Sequence, residues 1–267
     1  MRERAFSVTG LPGFATIAVA VFVLLYLPIV TLVAYSFNQG TSPSVWEGFS
    51  LHWYALAWAN DQVKDAAMVS LIVASFAAVI STAVATMAAL GTTRQKAFRG
   101  QTLIYVMINQ PLMVPEIVTA VALLLVFAVV RQWTGYTGLG YLILAHSAFC
   151  IPFAYLPIRA RLESMDLTLE TAAADLYASR WQAFRRVTLP LLAPAIAAGA
   201  MLAFVISLDD VVITEFVKAP GQDTLPTYML GQLRRAMNPD VNAISAMLLA
   251  VTLVLLSLFY LMTRKRD

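Results

Sequence analysis

Long apolar runs alternate with short polar ones along the chain, and the runs have membrane dimensions. A helix needs about 20 mostly apolar residues to cross a bilayer. Six stretches qualify: residues 14–37, 66–91, 103–130, 139–158, 191–213 and 243–262. All but the fourth are nearly free of charge, and the fourth is interrupted by Pro152 and Pro157. The first run is longer than the apolar core of a secretory signal, and no small-residue cleavage pattern follows it. It reads as a retained span. The pattern predicts an all-α membrane protein of six transmembrane helices, forming one membrane domain over residues 1–267.

The polar segments between the spans differ in character. Residues 38–65 hold Trp46, Phe49, Trp53, Tyr54 and Trp58, a composition suited to an aromatic belt at a membrane interface or to a docking surface. Residues 159–190 are too polar to span. Ala172, Ala173, Ala174 and Ala178 favour helix there, with Leu167, Leu169, Leu176, Trp181 and Phe184 as apolar contacts. An amphipathic helix resting on the membrane and a docking knob fit this segment equally. In residues 214–242, Pro220-Gly221 signals a turn, residues 225–237 a short helix, and Asn238-Pro239-Asp240 its stop.

Charge fixes the expected orientation. With six spans both termini share a side. That side carries 13 of the 18 basic residues, among them Arg2, Arg4, Arg94, Lys96, Arg99, Arg159, Arg161, Arg180, Arg185, Arg186, Arg264, Lys265 and Arg266. Lys64, Arg131, Lys218, Arg234 and Arg235 lie opposite. The asymmetry places both termini in the cytoplasm.

Composition agrees with lipid as the main solvent. The chain is 60% hydrophobic and 12% charged, and its mean hydropathy is +0.75. That excludes a disordered chain, a nucleic-acid-binding domain and an ordinary cytosolic enzyme. Cys150 is the only cysteine, so there is no internal disulfide and no thiolate cage. His52 and His146 have no zinc-site spacing, and no metal site is expected.

Three acids fall in or beside spans: Glu116, Asp209 and Asp210. An ionised group at the bilayer centre costs about 2.5 kcal/mol or more, so it normally faces protein or a watery path. Glu116 follows Pro111 and Pro115 and reads equally as the cap of a broken helix or as an acid lining a cation path. Asp209 and Asp210 have no basic residue within a helical turn in sequence, which leaves net negative charge at that level. Such charge suits a cationic substrate.

No Walker-type phosphate loop, HExxH or GxSxG pattern occurs, so the chain carries no ATPase or hydrolase motif of its own. Six spans make a small unit for a complete transporter, so partner chains are expected.

Thr171-Ala172-Ala173-Ala174-Asp175-Leu176-Tyr177-Ala178, then Phe184, then Val187-Thr188-Leu189-Pro190 resembles the EAA loop of permease subunits of bacterial ABC importers. Aligned on Asp175, the motif glutamate falls on Thr171, with Glu170 one residue earlier, and the motif glycine falls on Tyr177. A non-glycine there implies a different turn or a helix that runs through. A helix advances about 100° per residue, so Glu170 points elsewhere than the motif acid would.

Pro111–Val118 resembles the third span of polyamine importers, and Ser207-Leu208-Asp209-Asp210-Val211-Val212-Ile213 resembles a segment of the second permease subunit of spermidine and putrescine systems, as do Leu225-Pro226, Arg234 and Asn238-Pro239.

The resemblance implies a type I, MetI-like importer fold with a cytoplasmic coupling helix between spans four and five. Glu170, Thr171, Ala172, Ala173, Asp175, Leu176, Tyr177, Ala178 and Phe184 would meet the ATP-binding subunit. Glu116, Asp209 and Asp210 would line or guard the substrate path. It also implies a second permease, two ATP-binding subunits carrying ATP and Mg, and a periplasmic binding protein, with no cofactor in this chain and no nucleic acid. The location would be the bacterial inner membrane and the cargo putrescine or spermidine. The rivals are an importer for an anion or metal complex, and a channel or scaffold needing no ATP.

Overall fold

The structure is a computed structural model. It describes residues 13–42, 45–95, 98–235 and 239–264; Arg2, Arg4, Lys96, Asn238, Lys265 and Arg266 lie outside them. Twelve α-helices follow one another among the described residues: α1 Phe14–Tyr35, α2 His52–Ala59, α3 Asp61–Thr93, α4 Gln101–Met113, α5 Glu116–Thr134, α6 Gly140–Ser164, α7 Thr168–Asp175, α8 Arg180–Ala183, α9 Leu189–Asp209, α10 Val212–Val217, α11 Leu225–Arg235 and α12 Asp240–Arg264. A π-helical turn over Phe184–Thr188 joins α8 to α9. Six of the helical segments are long and apolar enough to cross a membrane.

Two predicted spans are interrupted. The stretch 103–130 is not one helix: α4 ends at Met113 and α5 begins at Glu116, with Val114 and Pro115 extended between them. Pro115 has no N–H to continue the ladder and disfavours helix in the residue before it. The stretch 191–213 is also divided. α9 ends at Asp209, Asp210 is extended, and α10 starts at Val212. The fourth span, by contrast, runs beyond its expected end at 158. α6 continues through Pro152 and Pro157 to Ser164, because residues 159–164 favour helix and Glu163 pairs with Arg159 one turn away, at 2.7 Å.

The chain forms two compact units. One holds the described residues up to Asp61 together with Gly231–Val251; the other holds Gln62–Leu230 and the described residues from Thr252.

In the first unit, α1 exposes an unbroken apolar surface, including Ile17, Phe22, Leu24 and Leu25, as a lipid-facing helix does. The loop after it is organised by one buried side chain. Asn38 donates to the carbonyls of Ser42 and Val45 and accepts from the Glu47 N–H at 2.8 Å. The Trp53 indole donates to the Asn38 carbonyl, and Phe37 stacks between Phe49 and Tyr54. Of the five aromatics expected at an interface, Trp46, Phe49 and Trp58 are exposed, while Trp53 and Tyr54 turn inward to build the loop.

The second unit has its core where α3, α6 and α9 meet. Ala78, Ala85, Ala89, Cys150, Ala154, Tyr155, Ile158, Leu162, Leu192 and Ala203 are buried there. Small residues at helical spacing let the backbones approach, the usual basis of packing between membrane helices. The tightest point is Gly199, where a Cβ would stand 2.9 Å from the Ala154 carbonyl oxygen. A second cluster, Ala120, Ala145 and Ile213, packs α5, α6 and α10 together. This packing brings the two helix breaks side by side.

Candidate functional site

Each broken span restarts with an acid. Glu116 is the first residue of α5, and Asp210 lies two residues before the first residue of α10. The start of a helix offers unpaired N–H groups and a positive dipole end, so carboxylates are favoured there. Asp210 uses this directly. Its Oδ1 accepts from the Thr214 N–H at 2.9 Å and from the Thr214 hydroxyl at 3.0 Å, capping α10. The cap is also why the helix breaks at Asp210 rather than running on to 213.

The Asp210 side chain is only 2% exposed. Its Oδ2 receives no hydrogen bond from any donor among the described residues. The neighbouring group is another acid, the Glu116 carboxyl, which can hydrogen-bond Asp210 when one of the two holds a proton. Asp209, one residue earlier, ends α9 and points to the exposed side. The structure therefore brings Glu116 and Asp210 together and leaves Asp209 at the margin.

Asp210 also has a polar neighbour distant in sequence. His146 of α6 places Nε2 3.5 Å from Asp210 Oδ1. The ring is 1% exposed and both nitrogens are engaged: Nδ1 with the Ser207 hydroxyl at 2.8 Å, Nε2 with the Thr214 hydroxyl at 2.9 Å. Sequence reading missed His146 because its partners lie more than 60 residues away. The signal present was a lone polar ring in an apolar span, which must find partners within the protein. Among the described residues, no group of three His, Cys, Asp or Glu side chains is placed to hold a metal ion.

The second candidate region is the segment 159–190. Asp166 accepts from the Thr168 N–H at 2.9 Å where α7 starts, and this bond holds its carboxyl below the usual aspartate range. Ser179 and Gln182 form a reciprocal capping box at the start of α8.

Between these helices Tyr177 has φ +60°, the left-handed conformation that glycine favours. The Ala178 N–H donates to the Ala173 carbonyl and the Tyr177 N–H to that of Ala174. These are the paired bonds of a Schellman ending. The expectation of a different turn at Tyr177 is thus corrected: tyrosine adopts the glycine geometry, at a cost of about 1–2 kcal/mol. The turn's two main-chain bonds offset part of it.

Glu170 turns inward. Its Oε1 accepts from Arg94 Nε at 3.1 Å and from the Thr188 hydroxyl at 3.1 Å. It ties α7 to the residue after α3 and to the π-helical turn. Thr171, Ala172, Asp175, Leu176 and Tyr177 face outward, while Ala173, Ala178 and Phe184 are half-buried. Leu176 and Tyr177 are almost fully exposed, at 82% and 97%, and Trp181 lies beside them at 66%. A free chain does not leave such a patch to water without a reason.

Comparison with known proteins agrees with this architecture. Residues 81–265 match the family described as "Binding-protein-dependent transport system inner membrane component". The putrescine transport system permease protein PotI of Escherichia coli K12 is 38% identical over 247 residues, spanning 91% of this chain and 88% of that protein. The spermidine/putrescine transport system permease protein PotC of the same organism is 35% identical over 254 residues, spanning 95% and 94%. A chain from the crystal structure of a bacterial ABC transporter involved in the import of the acidic polysaccharide alginate superposes with a TM-score of 0.72. It is 18% identical and the match covers 95% of this chain and 94% of that one, a likeness of fold. This chain belongs to the binding-protein-dependent transport system inner membrane component family and is a multi-pass permease subunit of an ABC importer.

Proposed function

We propose that this permease passes a polyamine, putrescine or spermidine, inward across the bacterial inner membrane. One observation carries the reading: a buried Asp210 carboxylate with an open oxygen lies beside a second acid, Glu116, at two helix breaks within the membrane-spanning unit. Two adjacent carboxyls that share a proton keep net negative charge, which favours a cation, and the ammonium end of a polyamine can pair with a carboxylate there. The names of permeases similar in sequence support the same cargo. An acidic polysaccharide would meet repulsion at these acids.

In this reading the chain pairs with a second permease, two ATP-binding subunits and a periplasmic binding protein. Both termini are cytoplasmic, as the distribution of basic residues favours. The exposed corner formed by Leu176, Tyr177 and Trp181 supports docking of segment 159–190 on an ATP-binding subunit. Closure of the ATP-binding pair would then push this loop and open the path outward, and the binding protein would release its cargo past Glu116 and Asp210.

The test is uptake of radiolabelled putrescine by the reconstituted importer. Asp210→Asn should lower uptake about tenfold or more while the complex assembles normally. Uptake that survives this change, or that alginate oligosaccharides compete for and polyamines do not, overturns the reading.

A further inference from the structure

The polyamine reading uses Asp210 but gives no role to His146. The hydrogen bonds around the ring assign it one. The Thr214 hydroxyl has a single proton and gives it to Asp210 Oδ1, at 3.0 Å. It must therefore accept from His146, so Nε2 carries a proton in its 2.9 Å contact with Thr214 Oγ1. In the neutral ring Nδ1 is then an acceptor, and the Ser207 hydroxyl donates to it across 2.8 Å. A one-way chain results: Ser207 to His146 to Thr214 to Asp210. Both ring nitrogens and both hydroxyls are engaged, three of the four side chains come from segments around the α9–α10 break, and the ring comes from α6.

We propose that His146 is a positioning residue for cation passage. Acting through Thr214, it locks the Asp210 carboxylate so that Oδ1 is consumed and Oδ2 stays open for an ammonium group beside Glu116.

Two features of the geometry favour this over a satisfied core histidine. First, the bonds are all made to one carboxylate oxygen, while the other is buried without a donor. A buried oxygen without a donor is costly to keep unless a ligand completes it. Second, the donors are uncharged. A lysine or arginine at position 146 would hold Asp210 equally well but would cancel the charge that draws the cation. A neutral imidazole orients the acid and leaves its charge in place.

The inference rests on the polyamine reading, and the experiment separates the two. The importer containing this chain is reconstituted with its binding protein, and putrescine uptake is measured per ATP hydrolysed. His146→Leu keeps an apolar side chain in the span but removes both ring nitrogens, and Thr214→Val removes only the relay hydroxyl. Each should lower the uptake-to-ATP ratio about tenfold, the weight of one hydrogen bond to a charged group. His146→Gln, which can still donate and accept, should restore most of the ratio.

Unchanged ratios in His146→Leu and Thr214→Val overturn the proposal. So does a parallel fall of uptake and ATP hydrolysis with the ratio preserved in both, which marks a purely structural role. If Asp210→Asn also transports normally, the polyamine path through Asp210 has failed. If Asp210→Asn is defective while His146→Leu and Thr214→Val are not, only the positioning role has failed.

Discussion

Asp210 and Glu170 are built alike and behave as opposites. Each is an acid with one oxygen accepting two hydrogen bonds, and each joins separate segments of the second unit. Asp210 receives neutral donors from Thr214, with His146 behind them, and its side chain is 2% exposed. Glu170 receives a guanidinium from Arg94 and a hydroxyl from Thr188, and its side chain is 25% exposed. The charge of Glu170 is neutralised and the bond holds the loop in place. The charge of Asp210 is oriented but kept. The difference teaches that a donor's charge decides whether a fixed carboxylate is a fastening or a site.

The largest effect that sharpens this contrast lies on the loop that Glu170 fastens. Ala173→Arg puts a long cation on a half-buried position of α7. Putrescine uptake should be lost while the protein still reaches the membrane, as judged by fractionation. Normal uptake would remove the loop from the coupling role.

A middle-sized effect comes from Arg94→Ala, which leaves Glu170 without its cation. The pair is partly exposed, so the loss is about 1–2 kcal/mol once screening is allowed for. Thermal unfolding of the purified importer should shift downward, while the uptake-to-ATP ratio should change far less than in Asp210→Asn. Reversed behaviour, with stability kept and the ratio lost, would break the comparison.

The smallest effect is Tyr177→Gly. It relieves a left-handed tyrosine and should stabilise the α7–α8 corner by about 1 kcal/mol in the same unfolding measurement. Tyr177→Ala keeps the strain and should give no such gain.

Sequence reading found what is local and missed what is assembled. Six spans were legible because apolar length is a composition signal, and α7, α8 and α11 followed from helix formers and turn residues. The break before α5 was foreshadowed by Pro111 and Pro115. The break at Asp210 was not, since 191–213 is apolar enough to pass for one span. What interrupts it is a local bond from the Thr214 N–H to the Asp210 side chain four residues back, a capping signal that the apolar run around it hides. The pairing of Asp210 with Glu116 and with His146 depends on α5, α6 and α10 packing through Ala120, Ala145 and Ile213. No spacing along the chain encodes that meeting. Glu170 shows the same limit: its outward or inward direction rests on Arg94, 76 residues away.

Tyr177 also sets the outline of the α7–α8 corner. A glycine at this corner leaves bare backbone, whereas here a phenol ring stands 97% exposed at the same backbone angle. Any surface that seats the corner has to leave a slot for that ring. A groove moulded to a glycine corner would collide with it, so the ring narrows the set of surfaces on which this corner can seat.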